Sequence, residues 1–283
     1  MKILYFDAFS GMSGDMTVGA LLDAGGSFNG LQEQLKKLPL DDEYELAKKQ
    51  IVKNGITSVK FDVILKQQHT EKGNGAGHTH ANQDDADQNH HHHHSHEHGH
   101  DHGHVHSHHH HHRTYQDIVN MIRESDLSEN VKEMSLRIFK KIGEAEGKIH
   151  GVPLDEVHFH EVGAVDSIID IVGTAILIDE LDIEAIYCAP IPTGSGSIHI
   201  DHGIYPVPAP ATLEILKGVP LAESELKAEL TTPTGAAIAA VLANSFSQLP
   251  AMRVTSVGYG AGTKTFPEHP NVLRVVVGEA GTE

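Results

Sequence analysis

The sequence predicts an α/β protein in which helices flank a mixed sheet and a disordered, histidine-rich insertion interrupts the chain. Apolar runs of strand length stand at residues 3–6, 186–191 and 272–277. Helical patterns lie between them on both sides of the histidine-rich stretch. We therefore expect residues 1–283 to form a single α/β domain, into which residues 66–112 are inserted as a low-complexity metal-binding segment.

Composition and charge exclude several classes of partner. The chain carries a formal net charge of -18, whereas nucleic acid and anionic membrane surfaces are bound through basic patches. The single cysteine, Cys188, excludes an intrachain disulfide and a multi-cysteine zinc site, and its apolar neighbours predict a core position. Asp7 interrupts the first apolar run, and no later run reaches membrane-spanning length. We expect a cytoplasmic protein that binds neither nucleic acid nor a membrane.

The first predicted strand leads into a glycine-rich turn. Residues 3–6 carry Asp7 to the carboxyl end of the strand, where ligands collect in open α/β sheets. The turn contains Ser10, Ser13 and two glycines, and a helix starts near Asp15. Serine hydroxyls and the amides of a helix start can hold an anion. Ser10 and Ser13 are therefore candidate cofactor-binding residues.

Two helices and a hairpin are predicted next. Residues 16–24 and 30–37 have helical patterns. Residues 44–52 and 56–65 read as strands around Asn54-Gly55, a dipeptide that favours a two-residue hairpin turn.

Residues 66–112 differ completely in composition from the rest of the chain. Of the 25 histidines, 18 lie between His78 and His112. Such a stretch cannot build a core, so we expect it to be disordered. Neutral imidazoles at alternate positions form overlapping bidentate sites for transition metals such as nickel. The predicted storage ligands are His96, His98, His100, His102, His104 and His106.

Beyond the tract, two more helices precede the central segment of the sequence. Thr114 is placed to cap the first, and the second starts near Ser128. The apolar stripe of the second helix ends at Ile149 and indicates core packing rather than a cofactor site.

The segment from residue 158 to residue 170 concentrates side chains that bind metal ions. His158 and His160 project to the same side of an extended chain, because side chains alternate along it. The next helix is apolar nearly all round, yet it carries Asp166 and Asp170 on one face. An unpaired buried carboxylate costs several kcal/mol, so this face needs a cation, a donor network or a water-filled cleft. The predicted metal ligands are His158, His160, Glu161, Asp166 and Asp170.

The last third of the chain contains a helix start that can hold a phosphate. After a strand at residues 185–191 and a proline-rich stretch, Thr232 caps a helix whose first residue is Pro233. Free amides at such a start point outward. Thr232, Thr234 and Gly235 are therefore candidate cofactor-binding residues.

Two closing strands are predicted at the end of the chain. They cover residues 253–255 and 272–277, and we expect the glycine-rich residues 258–262 to form the loop that joins them.

Each of these motifs also has a structural explanation. Asp166 can simply complement the start of its helix while the two histidines are satisfied in the core. Asp15 can cap its helix after a tight turn, and the Thr232 turn can be merely structural. The histidine tract can be an inert solvated loop; a cloning tag fits poorly, because the tract is internal and interrupted.

Four segments together resemble the LarC family, whose members insert nickel into the nickel-pincer cofactor of lactate racemase. The segments are residues 5–16, 158–170, 206–212 and 230–235, in the family's order along the chain. The resemblance covers nearly all of the chain outside the histidine tract. It implies a nickel chelatase of the lyase class that acts on pyridinium-3,5-bisthiocarboxylic acid mononucleotide and forms a carbon–nickel bond.

The resemblance also implies cofactors and partners. In the family the reaction consumes CTP with a divalent metal, Mn or Mg, at a site in a carboxyl-terminal domain. This sequence ends at Glu283, so we expect it to be the amino-terminal part, with that domain absent. The expected partners are the mononucleotide substrate, the carboxyl-terminal domain, a second copy of the chain in a homo-oligomer, and the lactate racemase apoprotein. Because the carbon–nickel bond replaces a ring proton, Glu161 or His160 is the expected catalytic base.

Three functions remain open on the sequence. The chain is a nickel chelatase or its nickel-handling domain, a nickel store or metallochaperone without catalysis, or a nucleotide-dependent enzyme in which the histidine tract is incidental. Removal of residues 78–112 separates them. A store loses nearly all nickel, a chelatase keeps a tight site, and an incidental tract changes nothing.

Overall fold

The computed structural model describes residues 1–66, 113–159, 164–200 and 203–281. The predicted disordered insertion and its storage histidines lie outside the described residues, as do His160 and Glu161. The described strands are β1 (Lys2–Asp7), β2 (Tyr44–Lys53), β3 (Ile56–Leu65), β4 (Ala185–Cys188), β5 (Ile191–Pro192), β6 (Ser197–Ile200), β7 (Gly203–Pro206), β8 (Leu221–Ala222), β9 (Ser245–Phe246), β10 (Met252–Ala261) and β11 (Val272–Ala280). The described helices are α1 (Gly14–Asp23), α2 (Phe28–Leu35), α3 (Tyr115–Glu124), α4 (Glu129–His150), α5 (Val165–Glu180), α6 (Pro210–Ile215) and α7 (Pro233–Leu242).

A mixed sheet of seven strands forms the centre of the described fold, in the order β2-β3-β10-β11-β1-β4-β9. Strand β1 lies between antiparallel β11 and parallel β4, and β10 pairs parallel with β3. Because β3 precedes the histidine tract and β10 follows it, both parts of the chain contribute to one sheet. The predicted fold class, a mixed sheet with flanking helices, is confirmed.

The hairpin of β2 and β3 is the one that the sequence predicts. Its strands pair antiparallel in continuous register, from Tyr44 opposite Leu65 to Lys53 opposite Ile56. The turn residues Asn54 and Gly55 have φ values of 47° and 82°, the left-handed conformation that a two-residue turn of this type requires.

Glu43, just before β2, contacts both residues that flank the histidine tract. Lys66 donates its backbone N–H to the Glu43 carbonyl at 2.9 Å. Arg113 forms an ion pair with the Glu43 carboxylate, with 2.5 Å between Nη2 and Oε1. The two residues that flank the histidine tract therefore lie next to the same residue, at the start of β2.

The loop predicted at residues 258–262 is wrong, because most of these residues belong to β10. A side chain at Gly260 would place its Cβ 1.8 Å from the Met16 carbonyl oxygen, and one at Gly258 would stand 2.1 Å from the Ala20 carbonyl oxygen. Helix α1 therefore lies directly against the backbone of β10. The glycines that suggested a loop instead allow this close contact.

Helix α5 is buried among the other helices, as its apolar pattern predicts. It packs against α1, α2 and α4, while α1 also packs against β10 and β3. The α5 residues Ile168, Ile169, Ile171, Val172 and Leu177 have no exposed surface. No helix in the described ranges is both long enough and apolar enough to cross a membrane.

Smaller sequence predictions are also confirmed. Thr114 forms a reciprocal capping box with Asp117, and the hydroxyls of Ser128 and Thr232 cap α4 and α7. Cys188 is fully buried in the core, and this burial raises the pKa of its thiol to about 12.

Candidate functional site

Helices α1, α5 and α7 contribute residues from their first two turns to one cavity of about 210 Å³, which we call the helix-start cavity. Three helix starts meet there, and the positive end of each helix dipole attracts negative charge. The cavity wall nevertheless contains carboxylates. Its lining residues are Ser13, Gly14, Asp15, Ser167, Asp170, Glu229, Thr232, Pro233 and Thr234.

Backbone hydrogen bonds hold the starts of α1 and α7 together. Met12 donates its N–H to the Leu230 carbonyl at 3.1 Å, and Thr232 donates to the Met12 carbonyl at 3.1 Å. Glycines permit this approach: Gly11 has φ 86°, and a Cβ on Gly235 would stand 2.0 Å from the Met12 carbonyl oxygen. The glycine-rich turn therefore joins the two helix starts.

Lys60 of β3 neutralises one of the cavity carboxylates. Its Nζ lies 2.7 Å from Asp15 Oδ2 and 2.9 Å from Asp62 Oδ1. Burial by itself lowers the pKa of Lys60, but the two carboxylates outweigh burial and raise it. The other oxygen of Asp15 accepts the Ser13 hydroxyl at 2.5 Å. Asp15 therefore has protein partners on both oxygens.

Asp170 of α5 has no such compensation. Within the part of the chain that the structure describes, its buried Oδ1 has no hydrogen-bond partner, and the buried hydroxyl of Thr174 one turn later has none either. A Cβ on Gly14 would stand 2.5 Å from Asp170 Oδ2, so this carboxylate lies against the start of α1. Burial, followed by the charges of Asp15 and Asp166, raises the pKa of Asp170 well above its ordinary value. Asp170 is thus the cavity group best suited to hold a proton or a cation.

A second cavity of about 210 Å³ adjoins the first and shares Ser13, Asp15, Glu229 and Thr232 with it. Its wall also contains Lys264. The ammonium of Lys264 donates to the Glu229 carbonyl at 3.1 Å. A positive charge therefore lies close to the acidic groups and to the start of α7.

The structure brings together most of the predicted cofactor-binding residues. Ser13, Thr232 and Thr234 line the helix-start cavity. Gly235 donates its N–H to the Thr232 hydroxyl at 3.2 Å and contributes close packing behind the wall. Ser10 differs: it is fully buried, and its hydroxyl bonds to His269 Nε2 at 2.6 Å and to the Pro270 carbonyl. Ligand binding by these residues stays a prediction.

The described members of the predicted metal site have different surroundings. Asp170 lines the cavity. Asp166 is exposed at the start of α5 and accepts the Ser167 N–H at 2.9 Å, as a residue complementing a helix start does. His158 is exposed and forms a single β-bridge with Thr114.

No three His, Cys, Asp or Glu side chains come close enough to hold a metal ion within residues 1–66, 113–159, 164–200 and 203–281. His160 and Glu161 stand outside these ranges, so the five-residue metal site and the choice of catalytic base stay predictions.

Sequence reasoning missed Lys60 and Asp62, and it considered Asp15 as a helix cap or as a carboxylate that opposes a bare phosphate. A signal was present, because Lys60 and Asp62 stand at alternate positions of β3 and therefore share one face of the strand. Polar residues at that spacing usually indicate a solvent-facing side. In the structure Lys60 is only 7% exposed, since α1 covers it.

The amino-acid sequence places the chain in a known class of protein, the nickel insertion proteins. A family model described as "Nickel insertion protein" matches residues 4–283, and the chain belongs to this family. Among its relatives, the pyridinium-3,5-bisthiocarboxylic acid mononucleotide nickel insertion protein of Geobacillus kaustophilus is 53% identical over 99% of this chain. A protein of the same name from Staphylococcus epidermidis is 44% identical over 97% of it.

These relatives are longer than this chain. The alignment covers 60% of the Geobacillus protein and 59% of the Staphylococcus protein, so the chain spans about three fifths of the relatives it matches. No solved structure matches the chain.

Proposed function

We propose that this chain handles nickel for insertion into pyridinium-3,5-bisthiocarboxylic acid mononucleotide, as the nickel-handling part of a CTP-dependent chelatase of the lyase class. The product is the nickel-pincer cofactor of lactate racemase. Nickel is cargo in this reaction, so it must be bound and then released. The proposal rests on family membership and on the relatives' names.

The single structural observation that carries the proposal is the helix-start cavity. The hydroxyls of Thr232 and Thr234 at the start of α7 are suited to the phosphate of a mononucleotide, whereas Ser13 donates its hydroxyl to Asp15. Asp170 supplies a carboxylate with an unused oxygen beside it. An anion-binding wall and a carboxylate in one cavity suit a ligand that combines a phosphate with a positive ring or a metal ion.

The insertion step needs ligands and a base. Nickel replaces the proton at the pyridinium C4, the carbon–nickel bond forms, and the proton passes to a base. We assign the ion to His158, His160, Glu161, Asp166 and Asp170, and the proton to Glu161 or His160. Oxygen and nitrogen ligands exchange readily and suit an ion in transit, whereas a closed thiolate cage would retain it.

We assign the histidine tract the role of a nickel reservoir. Its storage ligands are His96, His98, His100, His102, His104 and His106. Protons and metal compete for the same imidazole nitrogens, so the reservoir empties as pH falls through the imidazole range.

The family resemblance supplies the remaining parts of the proposal. CTP and its divalent metal, Mn or Mg, act in the carboxyl-terminal domain of the longer relatives, in the cytoplasm. That domain and the lactate racemase apoprotein are the proposed partners. A homo-oligomer of the chain is also proposed.

A second candidate function is nickel storage or metallochaperone activity without catalysis. The number of histidines between His78 and His112, 18 of 25, favours it. Equilibrium dialysis of nickel against the full chain and a variant lacking residues 78–112 tests both functions. We expect the variant to lose the weak sites and keep one tighter site, whereas a pure store would lose nearly all nickel. Equal stoichiometry in both proteins would refute the reservoir.

The chelatase assignment is tested by activity. His160→Ala and Asp166→Ala are made separately in the variant lacking residues 78–112, and folding is checked by circular dichroism. Nickel binding and cofactor production are then measured with the carboxyl-terminal domain supplied. We expect both variants to lose activity. Full activity in both would refute the metal-site assignment and leave the segment with a structural role.

A further inference from the structure

We propose that Asp170 and the start of α7 form a joint site for a phosphate and a hard divalent cation, Mg²⁺ or Mn²⁺, in which the cation bridges the carboxylate and the phosphate. The proposal rests on the proposed function, because it names how the cavity holds the mononucleotide phosphate. It adds a second ion and assigns Asp170 to that ion, which leaves the inserted nickel to the other four proposed ligands.

The first observation is the conflict of charges in the cavity wall. Three helix starts favour an anion there, yet Asp170, Asp15 and Glu229 line the same cavity. The Lys60 ammonium compensates Asp15 at 2.7 Å, and no residue in the described ranges gives Asp170 Oδ1 a hydrogen bond. A bare phosphate beside Asp170 would be repelled. A cation between the two removes the repulsion and gives the buried oxygen a ligand.

The second observation is the chemistry of the donors. Among the described residues, the groups that line the cavity offer carboxylate, hydroxyl and backbone oxygens, and no imidazole or thiolate. Imidazole suits nickel, whereas oxygen-only sets suit Mg²⁺ and Mn²⁺. Mg²⁺ in particular is bound by one or two carboxylates together with ligand phosphates and waters, rather than by a complete protein cage.

The third observation is that the carboxylates do not form a cage by themselves. No group of three acidic, histidine or cysteine side chains in the described ranges is arranged to hold an ion. A site with Asp170 as its main protein ligand is therefore incomplete until the phosphate arrives. Cation and phosphate should consequently bind together, each strengthening the other.

The test measures this coupling on the full chain. Nicotinic acid mononucleotide, a pyridinium mononucleotide, is titrated calorimetrically with and without Mg²⁺. We expect Mg²⁺ to raise its affinity for the wild-type chain about tenfold or more. The Asp170→Asn variant should lose this gain, while Asp126→Asn, which alters an exposed carboxylate between α3 and α4, should keep it.

Two outcomes overturn the proposal. One is a Mg²⁺-dependent gain of the same size in Asp170→Asn as in the wild type. The other is that Mg²⁺ does not raise the mononucleotide affinity of the wild type, while Asp170→Asn binds the mononucleotide more tightly than the wild type without Mg²⁺. Asp170 would then only repel the phosphate. Circular dichroism checks that each variant is folded.

Failure of the proposed function gives a different result. Nickel insertion is measured separately with the carboxyl-terminal domain supplied. If insertion fails while Mg²⁺-dependent mononucleotide binding persists, the nickel function is refuted and the joint site stands. If insertion persists in Asp170→Asn and the Mg²⁺ gain is absent from the wild type, the joint site is refuted and the nickel function stands.

Discussion

Replacing Asp170 by asparagine should stabilise the protein. A buried acceptor without a partner costs about 1–3 kcal/mol, and more if it is charged. Asp170 Oδ1 is such an atom, and Asp15 and Asp166 add repulsion. Asparagine keeps the shape and loses the charge. We expect the free energy of unfolding near neutral pH to rise by about 1–3 kcal/mol.

The gain should depend on pH, with a sign that follows from the pKa of Asp170. Burial raises this pKa, so the folded protein holds the proton more tightly than the unfolded chain does. The stability that neutral Asp170 provides is complete below the ordinary aspartate range and is lost as pH rises through the folded-state pKa. Asparagine has no such proton to lose. Its advantage should therefore be small near pH ~4 and grow toward pH ~7.5.

The assay is urea unfolding followed by circular dichroism at both pH values, for wild type and Asp170→Asn. The Asp126→Asn control should stay within about 0.5 kcal/mol of wild type. A gain equal at both pH values, or a loss of stability near neutral pH, would refute the reasoning about Asp170.

Three further changes test the surroundings of the cavity by the same urea unfolding. Lys60→Met removes the ammonium that pairs with Asp15 and should lower the free energy of unfolding by about 2–3 kcal/mol. This is the cost of breaking a buried ion pair, reduced because the partner carboxylate is partly exposed. Gly260→Ala puts a Cβ against the Met16 carbonyl and should cost about 3 kcal/mol or more, because backbone must move. Thr232→Ala removes the cap of α7 and should cost about 1 kcal/mol.

Matched controls keep these measurements specific. Lys140→Met changes an exposed lysine of α4, and Gly281→Ala adds a Cβ that meets no atom within 4 Å. Both should leave stability nearly unchanged. A Lys60→Met variant as stable as its control would contradict the ion-pair role, and an unaffected Gly260→Ala would contradict the close packing of α1 on β10.

Local chemistry explains why much of the fold was predictable. The Asn54-Gly55 turn, the Thr114 capping box and the apolar pattern of α5 depend on neighbours in sequence, and the structure has all three. Gly260 was misinterpreted because the sequence shows a missing side chain but not the helix that needs its absence. The reason for that glycine lies in Met16, which is distant in sequence.

The candidate site was only partly predictable for a related reason. Ser13, Thr232 and Asp170 could each be chosen from local motifs, and the structure brings them to one cavity. Lys60 could not be chosen, since its effect on Asp15 depends on how α1 lies across β3. Likewise, only the tertiary structure distinguishes Ser10, with its two protein partners, from Ser13.

The contacts of Glu43 with Lys66 and Arg113 have a consequence for the length of the histidine tract. They anchor the sheet on both sides of the histidine tract, so the length between the anchors is not fixed by the core. For a flexible loop, each doubling of length adds only about 0.6 kcal/mol of closure cost. The number of residues between these two anchors can therefore change at little cost in folding free energy. The size of the proposed nickel reservoir is thus set independently of the cavity.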